Sequence, residues 1–411
     1  MIAISFWVFL FPSKYAYVYY VGLLFLCLPR IVISSRIRID RPTLFILILF
    51  FLVSVSALLR SIADSVYIEN LVEPFRWFCL FVLSLVVLMD LHSKNNNVLV
   101  SVMSACLAYV IVSALVSYLQ IVNPDLVSPI NLLYGVEGHL ERSLALDNRA
   151  TGISSGPAQN ALSVAIASLF VISASFYKKD SKLGKAAKWL SLISAIVVIF
   201  YAQSKTAFVV FLFGVLLTYA LQFRGRIKII SLLWQAPLAA FFTLYIFMKV
   251  MEFGYLSKVF TEGLDSNSYV SRIEKWSYLF DMAIKEPYWF LSGFGKSYFG
   301  EYAGAMDNEY VFMFLVYGVV FFLVYISFIL FMMYEALRNY SHIRGADRFL
   351  VLSFMVVTMV GLIAAWPSMF VTNLKTAFLF VVSMVLAESI IRQRSTATAS
   401  KIGSNPYRSA W

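Results

Sequence analysis

Long apolar runs separated by short polar links dominate the chain. They cover about residues 2–12, 15–29, 43–59, 71–90, 98–121, 159–177, 187–203, 206–222, 229–249, 309–336, 349–366 and 371–391. A helix needs roughly 20 mostly apolar residues to cross a hydrocarbon layer about 30 Å thick. The pattern therefore predicts an all-α polytopic membrane protein with about 11–12 transmembrane helices. The run at 2–12 stops at Pro12 and reads as a half-span or interfacial piece as readily as a full span. A transmembrane barrel would instead show segments of about 10 residues alternating in polarity, and Thr43 to Leu59 is apolar on every side.

Two interruptions are long, at about 122–158 and 250–308; the others are short. Lysine and arginine favour the cytoplasmic side of short loops. Here they collect in alternate links: Arg30, Arg36, Arg38 and Arg41; Lys94; Lys178 to Lys188; Arg224, Arg226 and Lys228; Arg338, Arg344 and Arg348; and a tail at 392–411. That asymmetry puts the tail in the cytoplasm and both long loops on the exported face of a single integral membrane domain spanning 1–411. The first cation is Lys14. A cleavable signal peptide opens with a basic stretch, so the apolar start is expected to be retained.

Composition agrees with the pattern. Of 411 residues, 61% are apolar and 13% charged, against about 25% charged in an ordinary soluble domain. The formal charge of +11 is spread over short loops, whereas nucleic-acid binding needs a clustered basic face. Cys27, Cys79 and Cys106 all fall in apolar runs, and His92, His139 and His342 sit on separate loops. Neither set forms a disulfide or metal framework. No cofactor is expected.

Cations in exported loops run against the orientation rule and need another reason. Arg142, Arg149, Arg272, Lys275, Lys285 and Lys296 are such cations. For the lysines a solvated face suffices. Arginine binds phosphate through paired hydrogen bonds and keeps its charge, so Arg149 and Arg272 point to an anionic ligand. Arg149 lies in Asp147-Asn148-Arg149-Ala150-Thr151-Gly152, with Gly156-Pro157 turning the chain back into the next apolar run. Arg272 lies on an amphipathic stretch, where Val270, Ile273, Trp276, Phe280 and Ala283 recur at steps of three, three, four and three. Lys275 shares its neighbourhood three residues on. Gly293-Phe294-Gly295 suggests a close backbone approach. Asp307-Asn308-Glu309-Tyr310 then opens a long apolar run containing Gly318. A helix cap accounts for one of these polar residues. A carboxylate such as Asp307 at the lip of the membrane suits a general base beside an anionic leaving group.

The order of these pieces resembles the bacterial O-antigen polymerase (Wzy) and O-antigen ligase superfamily. The pieces are Arg149, Gly152, Pro157 and Asn160; Ser204, Lys205 and Thr206; Arg272 and Trp276; Gly293 and Gly295; and Asp307, Asn308, Tyr310 and Gly318. The resemblance implies a GT-C-like helical fold in the bacterial inner membrane and a metal-independent, inverting glycosyltransferase working at the periplasmic face. Its substrates would be undecaprenyl-pyrophosphate-linked oligosaccharides, with a chain-length regulator as a possible protein partner and no nucleic acid. On that account Arg149 and Arg272 hold the pyrophosphate, Lys205 assists, and Asp307 is the base or sugar anchor. Asn308, Tyr310, Arg142, Lys275 and Asn160 complete the candidate substrate contacts. The family's turn commonly reads Ser-Arg where this chain has Ser204-Lys205. Its ligases carry a histidine where this chain has Asp307, which favours polymerase over ligase. A lipid-oligosaccharide flippase is a further alternative, and would place charges inside the spans.

Overall fold

The computed structural model describes residues 1–12, 14–33, 39–64, 68–92, 98–136, 143–144, 148–175, 182–222, 267–300, 306–343, 345 and 347–403. Every regular element among them is helical: α1 (Ile2–Leu10), α2 (Ala16–Ile33), α3 (Arg41–Asp64), α4 (Ile68–His92), α5 (Val98–Val122), α6 (Ser128–Tyr134), α7 (Pro157–Ser175), α8 (Lys182–Ala202), α9 (Lys205–Gln222), α10 (Asn267–Ile284), α11 (Glu309–Phe312), α12 (Gly318–Tyr340), α13 (Asp347–Ala365) and α14 (Leu374–Gly403). A π-helical turn, Met313–Tyr317, joins α11 to α12.

Ten helical stretches among the described residues are long and apolar enough to cross a membrane, α11 to α12 counting as one. They match ten of the apolar runs. The run at 229–249 lies outside the described residues, as does Arg142. The run at 2–12 forms the nine-residue α1, which at 1.5 Å per residue is roughly half a hydrocarbon layer. It is held at both ends: the Met1 amino group pairs with Asp90 at 3.2 Å, and the Tyr134 hydroxyl donates to the Leu10 carbonyl.

The helices arrange by burial. In α7 every residue except Ala158 and Gln159 is buried, and α14 is buried nearly as fully over its span. These two form the bundle centre. Small residues explain the fit of α7, because Ala161, Ala165, Ala167 and Ser168 let neighbouring backbones approach. Ser168 donates to the Ser191 carbonyl at 3.0 Å and Ser173 to the Ser353 hydroxyl at 3.0 Å, tying α7 to α8 and α13. Helices α2 and α9 lie outside, and side chains such as Phe25, Val32 and Ile33 on α2 stand exposed. So large an exposed apolar surface fits lipid, not water. The chain is an all-α, multi-pass membrane protein.

Following the spans alternately sorts the connections to two ends. Arg30, Arg41, Arg338 and Arg392 fall at one, called here the basic end. Residues 143–144, 148–156, 203–204, 267–300, 306–308 and 366–373 fall at the other, the far end.

Candidate functional site

The far end is built around a broken helix. Asn308 caps α11, its side-chain oxygen accepting from the backbone N–H of Tyr310 at 2.9 Å and of Val311 at 3.1 Å. After one α turn the chain widens into the π turn and breaks at Gly318, where φ is +89°. Two carbonyls released by the break find donors in the Gly-x-Gly segment: Phe294 N–H bonds Leu315 at 2.9 Å and Gly295 N–H bonds Val316 at 3.1 Å. The approach leaves no room for side chains. A Cβ on Gly293 would stand 2.4 Å from the Val316 carbonyl oxygen, and one on Gly318 would stand 2.5 Å from the Gly293 nitrogen. Irregular backbone at membrane depth survives when protein supplies its hydrogen bonds, and here residues 291–295 supply them.

Glu309 organises the neighbouring link. It is fully buried, and its two carboxyl oxygens accept from the backbone N–H groups of Phe370 at 2.6 Å, Val371 at 2.8 Å and Thr372 at 2.8 Å. These bonds offset the large cost of removing a carboxyl group from water. Arg76 closes the same link, donating to the Thr372 carbonyl at 3.0 Å and to the Tyr317 hydroxyl at 2.6 Å. Tyr317 in turn donates to Glu73, which also pairs with Arg76 and lies 3.9 Å from the Lys296 ammonium. Arg60, from α3, lies over the rings of Trp289 and Tyr298, at 5.0 and 4.6 Å, and pairs with Glu286 at 3.4 Å.

Over this frame lies α10. Its Trp276 packs edge-on against Trp366, with centroids 6.3 Å apart, and its Leu279 and Ala283 are buried, whereas Val270 and Ile273 remain exposed. The apolar stripe thus docks on protein over its second half and is free over its first. From this helix Arg272 reaches Asp307, Nε to Oδ2 at 3.3 Å. Asp307 is about half exposed and Arg272 one-third, so both groups are open to a ligand. Lys275 is exposed.

A second cationic turn involves Arg149 and Lys205. Arg149 Nε donates to the Ala202 carbonyl at 3.0 Å, Ala150 N–H to Tyr201 at 2.9 Å, and the Gln203 amide to the Asn148 carbonyl at 3.3 Å. Asn148 and Gln203 both take left-handed φ values, +49° and +48°, which asparagine tolerates better than most residues. Lys205 begins α9 two residues further on, so two cations far apart in sequence flank one turn. Below them Gly152 N–H donates to Gln120 at 2.8 Å, and the Ile153 carbonyl accepts from the buried Lys375 ammonium at 3.2 Å. Asn373 donates to Ser163 on α7 at 3.1 Å. Lys375 thus ties the Arg149 loop to the start of α14, directly after the 366–373 link.

The remaining candidates have structural surroundings. Asn160 is fully buried, its oxygen accepting from Ser113 at 2.9 Å, and its amide sits where a Cβ on Gly152 would fall. The Tyr310 hydroxyl donates to the Leu362 carbonyl at 2.6 Å. Asn308 is turned inward as the cap. Sequence reasoning left Arg60, Glu73, Arg76, Glu309 and Lys375 out of the site. Their signal was present, since ionisable residues within stretches of spanning length are rare and costly, but it does not name their partners. A cavity of about 820 Å³ lies among α5, α7, α8 and α14 toward the basic end, away from these residues.

No protein-family model matches the chain, and no curated protein matches it at a significant level. What the fold defines is its class, the helical multi-pass membrane protein.

Proposed function

We propose that the chain is a polysaccharide polymerase of the bacterial inner membrane. It would join undecaprenyl-pyrophosphate-linked oligosaccharide repeats at the periplasmic face, an O-antigen or related surface polysaccharide being the product. The supporting observation is the Arg272–Asp307 pair, accessible at the far end of the bundle and mounted on α10 and the cap of the broken helix.

Each half of that pair suits one part of the reaction. A hydroxyl oxygen of one repeat attacks the anomeric carbon of the growing chain. The bond from that carbon to the diphosphate oxygen breaks, and undecaprenyl pyrophosphate leaves with the electron pair. Arg272 would transfer its hydrogen bond from Asp307 to the diphosphate, and the released Asp307 carboxylate would take the hydroxyl proton. Arg149 and Lys205, flanking one turn, would add positive charge for the leaving group. Attack opposite the departing group inverts the anomeric centre.

The test is a deletion strain of the parent bacterium complemented with Arg149→Ala, Arg272→Ala or Asp307→Ala, with surface polysaccharide resolved by size on a gel. The polymerase reading expects single-repeat caps without a ladder. Unchanged ladders in all three variants would discard the site. A second reading, a lipid-oligosaccharide transporter, draws support from the buried Glu73–Arg76–Tyr317 group and the helix break at Gly318, features found where transporters bind substrates. It expects repeats trapped inside the cell, whereas a ligase defect leaves the lipid core bare.

A further inference from the structure

The basic end holds a polar cavity of about 340 Å³ that plays no part in the reaction above. It is lined by Arg41 of α3, by Glu335, Arg338 and His342 at the end of α12, and by Glu388 and Arg392 of α14. Glu388 is fully buried. One of its oxygens accepts from Arg392 Nε at 2.5 Å and lies 3.7 Å from Arg41 Nε; the other, Oε2, has no hydrogen-bond partner. Leaving a buried carboxyl oxygen without a donor is costly, and Glu335, 3.8 Å from Arg41, adds a second carboxyl group to the same cavity. Arg338, exposed in the last turn of α12, has no ion-pair partner among the described residues. The cavity thus places a buried, unpartnered acceptor beside an exposed guanidinium.

A ligand meeting both needs carries a phosphate and a cationic donor together. We propose that the cavity binds the headgroup of a phosphatidylethanolamine-type phospholipid, its phosphate on Arg338 and its ammonium on Glu388 Oε2 and Glu335. The cavity lies at the ends of the candidate spans formed by α3, α12 and α14, where the headgroups of a surrounding bilayer would lie. Phe331, Tyr334 and Leu337, within two turns of Arg338 on α12, are exposed apolar side chains on which acyl chains can lie. That continuity favours a lipid over a water-soluble solute.

The full chain, purified in detergent, would be titrated with phosphatidylethanolamine, with phosphatidylglycerol of the same acyl chains and with soluble glycerophosphoethanolamine, and occupancy read by native mass spectrometry. The wild type should retain phosphatidylethanolamine best. Arg338→Ala, a surface change, should weaken it roughly tenfold, as expected for a lost charge-assisted bond. Glu388→Gln should erase the preference for phosphatidylethanolamine over phosphatidylglycerol; should that variant fail to fold, Glu335→Gln should reduce the same preference. Equal wild-type binding of the two lipids, unchanged binding by Arg338→Ala, or soluble headgroup binding as tight as the lipid would each overturn the proposal.

Discussion

Arg76 crosses from α4 to the hydroxyl of Tyr317, 2.6 Å away, at the turn where the long membrane helix breaks. The same guanidinium holds the Thr372 carbonyl, so one side chain secures two irregular segments that the bilayer alone would not tolerate. The arrangement ties α4, the helix break and the 366–373 link to one another.

Removing the acceptor under the 366–373 link should be severe. Glu309→Ala leaves three N–H groups without a partner, those of Phe370 and Val371 buried, and breaking a buried charged network costs about 3–5 kcal/mol. Glu309→Gln keeps one acceptor oxygen and should cost less, about 1–3 kcal/mol. Thermal melting of the purified variants in detergent checks the order, and equal melting temperatures for both variants and wild type would refute the role.

Gly318→Ala should destabilise the chain by about 1–3 kcal/mol. Its φ is +89°, and the added Cβ meets backbone atoms of Leu291, Ser292 and Gly293 that cannot rotate away. Gly300→Ala is the control, because its φ is also positive but nothing lies within 4 Å of the added carbon. Size-exclusion profiles should show Gly318→Ala losing more folded protein than Gly300→Ala.

Arg60 should resist replacement by lysine only partly. Arg60→Ala loses two ring contacts and the Glu286 pair, each ring contact worth about 0.5–2 kcal/mol. Lysine keeps the charge but not the flat guanidinium that stacks on aromatic rings. Limited proteolysis within 285–300 should be fastest in Arg60→Ala, intermediate in Arg60→Lys and slowest in the wild type.

The Arg272–Asp307 pair separates stability from function. Exposed pairs contribute about 0–1 kcal/mol, so a double-mutant cycle with Arg272→Ala and Asp307→Ala should show a small coupling in thermal stability. The charge-swapped double variant, Arg272→Asp with Asp307→Arg, should melt near the wild type yet produce no polysaccharide ladder. A ladder of normal length from the swapped chain would show that the pair serves packing alone.

The sequence by itself determined the helices that lipid demands, because an apolar run of spanning length must satisfy its own backbone hydrogen bonds and only a helix does so within one segment. Local chemistry also announced the cap at Asn308, the amphipathic helix carrying Arg272, and the close approach at Gly293 and Gly295. The tertiary structure alone decided that Glu309 grips a link some 60 residues downstream, and that Arg76 meets a tyrosine 241 positions away. It also decided that Asn160 and Tyr310 turn into the protein while Arg272 and Asp307 stay open. Periodicity and composition specify which residues leave water, but the partner of a buried charge depends on how helices pack side by side, and that geometry is fixed only when the whole bundle assembles.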